Sequence, residues 1–165
     1  MRCLPALLCA ATAVFGADAI PRFEDFPATE QWRGPNAPVK LVRPDERQFR
    51  TRLRAGAQER PDFAGHYRFV GWGCGSLCAA GAIVDLKTGR VYPPPKTVEG
   101  SGWDRWIFAG GPVRGPLIDF RVDSRLMIVR QPSADPLYEE ARYYEWQGTR
   151  FKLLRTRAEK QQLVP

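Results

Sequence analysis

After Pro61 the period of this chain changes to two, and short apolar stretches follow one another, separated by turn-forming residues. Nothing else in the sequence narrows the fold as far. A period of two places alternate side chains on opposite faces of a strand, so an apolar face of this kind is buried by pairing into a sheet. In residues 66–72, Tyr67 and Phe69 alternate with His66, Arg68 and Val70. Residues 79–85 then carry Ala82, Ile83 and Val84, residues 85–89 read as a turn, and residues 90–92 return until three prolines stop them. Two further hairpins follow: residues 117–122 and 125–130 about Asp123-Ser124, and residues 138–146 and 150–155 about Gln147-Gly148-Thr149. Successive hairpins with short connections predict a mainly β (α+β) fold. The expected form is an antiparallel meander or small sandwich of about six to eight strands. No segment recurs at a fixed period, which argues against a propeller or solenoid.

Upstream the pattern differs. Residues 20–44 hold five prolines, with Phe23, Phe26 and Trp32 between them. Proline at that density forbids a regular helix and predicts an extended arm pinned by its aromatics. Pro44-Asp45-Glu46 then offers a helix start, and Phe49, Leu53 and Ala57 recur every four residues. That spacing predicts one amphipathic helix over residues 45–58, with Arg47, Arg50 and Arg54 on a solvated face.

The first nineteen residues follow the order of a secretory leader. Arg2 precedes an apolar stretch over residues 4–15, and Ala17-Asp18-Ala19 is a small-residue cleavage site. The stretch is shorter than the roughly 20 residues a membrane span requires. Cys9 lacks the small residue expected just before a lipidated cysteine. The domain reading is therefore a signal peptide over residues 1–19, a proline-rich arm over 20–44, and a single β-rich domain over 45–165. Taking 19 from 165 leaves 146 residues, enough to build a core without a cofactor. No second segment is apolar enough to span a membrane, and the expected compartment is the periplasm or the exterior.

Export removes Cys3 and Cys9, leaving Cys74 and Cys78, which in an oxidising compartment read as a disulfide. Four residues of separation require a sharp turn, which Gly73 and Gly75 permit. Three chemical readings stand beside the structural one. Redox pairs are usually C-x-x-C at a helix start, whereas this spacing is C-x-x-x-C between strands. A cysteine nucleophile with His66 as base would be consumed by the disulfide, and its order reverses that of exported peptidoglycan hydrolases with a cysteine nucleophile. Zinc would find His66, Cys74 and Cys78 but no obvious fourth ligand. His66 is the only histidine. No serine-hydrolase elbow, H-E-x-x-H or phosphate-binding loop occurs. No cofactor is expected.

The net charge of +7 rests on 25 basic residues, of which five are lysines and 20 arginines. Such a balance suits an anionic envelope component or an envelope protein, with nucleic acid excluded by compartment. The glycine-rich residues 98–116 carry Trp103, Arg105 and Trp106. Long loops within compact domains are often functional, and Trp and Arg dominate binding hot spots. His66, Trp72, Trp103, Arg105 and Trp106 are accordingly the candidate binding residues, with Cys74 and Cys78 as the disulfide.

Phe63-Ala64-Gly65-His66-Tyr67, Trp72-Gly73-Cys74-Gly75, Cys78, Asp85, Lys87-Thr88-Gly89 and Val91-Tyr92 resemble a group of small exported proteobacterial proteins of unknown function. The likeness is close over about thirty residues; Phe120-Arg121-x-Asp123-Ser124 and Tyr144-x-Trp146-x-Gly148 extend it more loosely. It implies the compartment and a disulfide-bearing β core, but no activity. In build the chain is similar to small periplasmic lysozyme inhibitors. The sequence thus predicts a non-enzymatic binding or inhibitor-like module; an envelope enzyme using Cys74 or His66 is the alternative.

Overall fold

The computed structural model describes residues 19–76, 78–96, 107–110, 118–135 and 137–160. The segment expected as a signal peptide, apart from Ala19, and Trp103, Arg105 and Trp106 lie outside them. The fold is mainly β. β1 (Tyr67–Gly75) and β2 (Cys78–Asp85) form an antiparallel hairpin in register from Tyr67↔Asp85 to Gly75↔Cys78, with an irregularity between Gly73 and Gly75. Along the other edge of β2 lie β3 (Val91–Tyr92), opposite Ile83 and Val84, and β4 (Ile107–Gly110), opposite Cys78, Ala79 and Ala80. The second antiparallel sheet runs in the order β5 (Ile118–Phe120), β6 (Leu126–Pro132), β7 (Tyr138–Trp146), β8 (Phe151–Lys160).

Alternation sends each strand's apolar residues to two layers. Tyr67 and Ile83 of the first sheet meet Met127, Val129, Tyr144 and Trp146 of the second, with Phe63 among them. Phe63 is fully buried and touches the rings of Phe120, Trp146 and Phe151 at centroid distances of 5.9, 6.2 and 5.9 Å. The opposite face of the first sheet, with Val70, Trp72, Ala80, Ala82 and Val84, packs against Leu53 and Ala57. Behind the second sheet Leu126, Ile128, Ala141 and Tyr143 are covered by Phe23 and Phe26 of the arm.

The single amphipathic helix expected over residues 45–58 does not form as one. The segment instead holds two short helices, α1 (Pro44–Gln48) and α2 (Arg50–Gly56), divided at Phe49. There φ and ψ of −99° and 13° leave the helical region, and the Phe49 ring lies 4.6 Å from that of Trp72. Packing on the sheet outweighs helical continuity at this residue. The start of α1 is fixed by the buried carboxylate of Glu46, which accepts the backbone N–H groups of Val42 and Arg43 at 2.7 and 2.9 Å. A carboxylate satisfying otherwise orphaned donors at a helix start is the usual capping arrangement.

The arm runs from one outer face of the molecule to the other. A 3-10 turn, Phe23–Asp25, places Phe23 and Phe26 on the second sheet. Pro27 then bridges to Ser124, and Ala28 N–H donates to Asp123 O at 2.8 Å. Farther along, Ala37 N–H donates to Leu86 O and Lys40 N–H to Gly89 O, both at 2.8 Å, and Val39 and Leu41 pack on the first sheet. Ser124, 1% exposed, holds the arm from inside: its hydroxyl lies 2.8 and 3.0 Å from the carbonyls of Phe23 and Phe26.

Candidate functional site

The turn that enters β1, residues 63–67, is where the arm and both sheets meet. Ala64 and Gly65 take positive φ, 44° and 85°. Gly65 N–H donates to Val122 O at 2.6 Å, Gly65 O accepts Trp32 N–H at 2.9 Å, and His66 O accepts Leu86 N–H at 3.0 Å. The arm passes so close that a β-carbon on Gly65 would stand 1.7 Å from the carbonyl oxygen of Glu30. Gly89, at φ 74°, has the same relation to the carbonyl of Pro38, at 2.0 Å. Both glycines therefore have a steric reason to be where they are, independent of any chemistry.

This turn holds His66 in a ring of charge. Its Nδ1 lies 3.2 Å from Glu30 Oε1 and its Nε2 lies 3.8 Å from Asp85 Oδ1. Lys87 Nζ donates to the same Glu30 oxygen at 2.6 Å and stands 5.5 Å from the centre of the Trp32 ring. Burial pushes the imidazole pKa below its ordinary value; Asp85 and Glu30 oppose that shift and Lys87 adds to it. The imidazole is thereby kept neutral at pH 7. The contact between Nδ1 and Glu30 is close but out of line for a hydrogen bond, which leaves that buried nitrogen without a partner. Asp85 is occupied with its own turn, accepting Lys87 N–H at 2.9 Å, Thr88 N–H at 3.2 Å and the Thr88 hydroxyl at 2.6 Å. Among the described residues no hydroxyl or thiol hydrogen-bonds the His66 ring, so it lacks the nucleophile that a base would activate.

Beside His66 opens a cleft of about 370 Å³. Tyr67 and Trp146 supply its aromatic wall, and Thr29, Arg125, Glu145 and Gln147 supply polar groups. Arg125 Nη1 and Glu145 Oε1 pair at 2.5 Å, and the Tyr67 hydroxyl donates to Gly148 O at 3.3 Å. Trp146 is 1% exposed, and its indole N–H stands beside the Tyr67 hydroxyl, where it holds the phenol pKa down against the larger upward push of burial, without reaching the line of a full hydrogen bond. The cleft therefore combines an aromatic wall with polar side chains and both members of an ion pair. That is the composition of a binding pocket.

The other candidates lie apart from this cleft. Trp72 is 8% exposed and stacks on Phe49 on the opposite face of β1, so its ring belongs to the core. Cys74 and Cys78 are bonded at the exposed tip of the β1–β2 hairpin, with Cα atoms 5.2 Å apart. The bond leaves neither sulfur a thiolate, and among the described residues no group of three His, Cys, Asp or Glu is placed to hold a metal. Among the same residues no helix is long and apolar enough to cross a membrane. Trp103, Arg105 and Trp106 fall outside the described residues. Sequence reading missed Thr29, Glu30, Arg125 and Glu145, which come from the arm, the bend before β6 and strand β7. Only the opposite charges of Arg125 and Glu145, at neighbouring places about the β6–β7 pairing, offered a signal. No family model matches the chain, and neither the curated proteins nor the solved structures contain a match.

Proposed function

We propose that this protein is an exported, non-enzymatic binding module, and that its ligand seat is the cleft over Tyr67 and Trp146. The observation that carries the reading is the joining, in one cleft, of the Tyr67–Trp146 aromatic wall with the Arg125–Glu145 pair. The ligand is a small polar group bearing an acceptor, oriented by the Arg125–Glu145 pair and fitted to about 370 Å³. Export is supported by the leader-like first nineteen residues and by a disulfide that an oxidising compartment maintains. The enzymatic alternative has less support, since the bonded sulfurs supply no nucleophile and His66 touches none.

The test is a titration of isotope-labelled protein with single amino acids, monosaccharides and short peptides, followed by NMR at the Trp146 indole and the Gly148 amide. A saturable shift of both signals, lost in Trp146→Phe and weakened in Gln147→Ala, is the expected result. The proposal fails if no compound moves them, or if Trp146→Phe binds as the parent does.

A further inference from the structure

Among the described residues, many arginines are matched by a carboxylate while those of one region are not. Arg22, Arg43, Arg68, Arg121, Arg125 and Arg142 each face a carboxylate at 2.5 to 3.5 Å. Arg47, Arg50, Arg52 and Arg54, all on α1 and α2, are exposed and face no carboxylate among the described residues. Arg33 and Arg60, beside the end of α2, are likewise exposed and unpaired. The carboxylates of this region cannot neutralise them. Asp45 pairs with Arg43, and Glu46 is buried as the α1 cap, which leaves Glu59 alone against six guanidinium groups.

Arg50 and Arg54 stand one helical turn apart and Arg47 continues their ridge, so the like charges repel and cost the isolated protein stability. Mixed signs are the ordinary surface arrangement, and most of this chain's other described arginines follow it. Two neighbouring features extend the face. At the start of the helices Val42 is 74% exposed. At their end lies a cleft of about 620 Å³, lined by Arg33, Arg60, Asn36 and Trp32 among others. Asn36 closes the helix end by donating to Ala57 O and Glu59 O, both at 2.9 Å.

We propose that this α1–α2 face docks on an anionic phospholipid surface, with the cleft between Arg33 and Arg60 receiving a headgroup phosphate. Exposed arginines on both short helices stand beside the exposed apolar Val42 and at the mouth of the Arg33–Arg60 cleft, so the face joins positive charge to an apolar residue. A surface of anionic headgroups over hydrocarbon complements both. Val42 supplies the apolar residue that enters the headgroup layer. The overall charge of +7 acts in the same direction at longer range.

The test is co-sedimentation of the purified full protein with vesicles of equal parts phosphatidylglycerol and phosphatidylcholine, against vesicles of phosphatidylcholine alone. Binding only to the anionic vesicles, and falling with added salt, is expected. Each basic residue at such a surface contributes roughly fivefold, so Arg47→Gln, Arg50→Gln and Arg54→Gln together should weaken binding about a hundredfold. The control removes the same charge elsewhere, through Arg90→Gln, Arg157→Gln and Arg150→Gln, and should weaken it far less. Equal loss in both triple variants would reduce the effect to net charge and overturn the assignment. No binding at low salt would overturn it too, as would tighter binding to heparin or duplex DNA than to the anionic vesicles.

Discussion

Replacing Gly65 with alanine tests the claim that the turn at residues 63–67 is a junction built on contact too close for a side chain. The new β-carbon would stand 1.7 Å from the carbonyl oxygen of Glu30, whereas ordinary contact begins at 3.4 Å, so arm and turn must separate by the difference, 1.7 Å. A movement of that size breaks the bonds from Gly65 N–H to Val122 O and from Trp32 N–H to Gly65 O. Each is worth about 1 kcal/mol net. Holding alanine at φ 85° adds about 1–2 kcal/mol. The reduced freedom of the unfolded chain returns about 0.4–1 kcal/mol. The balance is a loss of about 3 kcal/mol, equivalent to a fall in Tm of roughly 10 °C for a domain of this size. Urea denaturation with the disulfide intact measures it. Gly73→Ala is the control, because nothing stands within 4 Å of a β-carbon there. It should change stability by less than about 0.5 kcal/mol, the usual range for uncrowded surface sites. If Gly65→Ala falls in that same range, the close-approach account of the junction is wrong.

Four further outcomes are expected. Because His66 has a folded pKa below its unfolded value, the unfolded chain binds the extra proton first; stability should be full above about pH 6.5 and decline as pH falls from there to the depressed pKa. His66→Gln should flatten that part of a denaturation profile, and a decline unchanged in the variant would assign it to other groups. Converting Cys74 and Cys78 to alanine should cost only about 2 kcal/mol, since the bond closes a very short loop, and in the parent protein neither sulfur should react with a thiol reagent before reductant is added. Ser124→Ala should cost about 2 kcal/mol by stripping Leu126 N–H and the arm carbonyls of their partner, and should expose residues 20–30 to limited proteolysis. Finally, protein recovered from an exporting host should begin at Ile20 when its N-terminus is sequenced, and an intact leader would refute the export reading.

The hairpins were legible because a two-residue alternation and a turn residue are local properties. Asp85, Thr88 and Gly89 made the β2–β3 turn readable in isolation, as Gly148 did the β7–β8 turn. The disulfide was readable because only Cys74 and Cys78 follow residue 19. What joins distant stretches was not readable. The break at Phe49 answers to Trp72, a residue twenty-three positions away on a strand, and no helical periodicity encodes it. The cleft collects Thr29, His66, Arg125 and Trp146 from four separate stretches, and the alternation pattern gives each strand's faces without naming its neighbours. The motif at residues 63–67 was visible as unusual, but its meaning was not. Its glycine answers to the backbone of Glu30, which has no side-chain signature at all.

The arm also sets an order of assembly. It is synthesised before the groups that hold it: the carbonyls of Leu86 and Gly89 and the hydroxyl of Ser124 all come later in the chain. Its first residues are thus the earliest made and the last able to dock. Until Phe23 and Phe26 dock, Leu126, Ile128 and Tyr143 lack their cover and the second sheet shows an oily back. A chain made N-terminus first must complete β7 before its arm can fasten it shut.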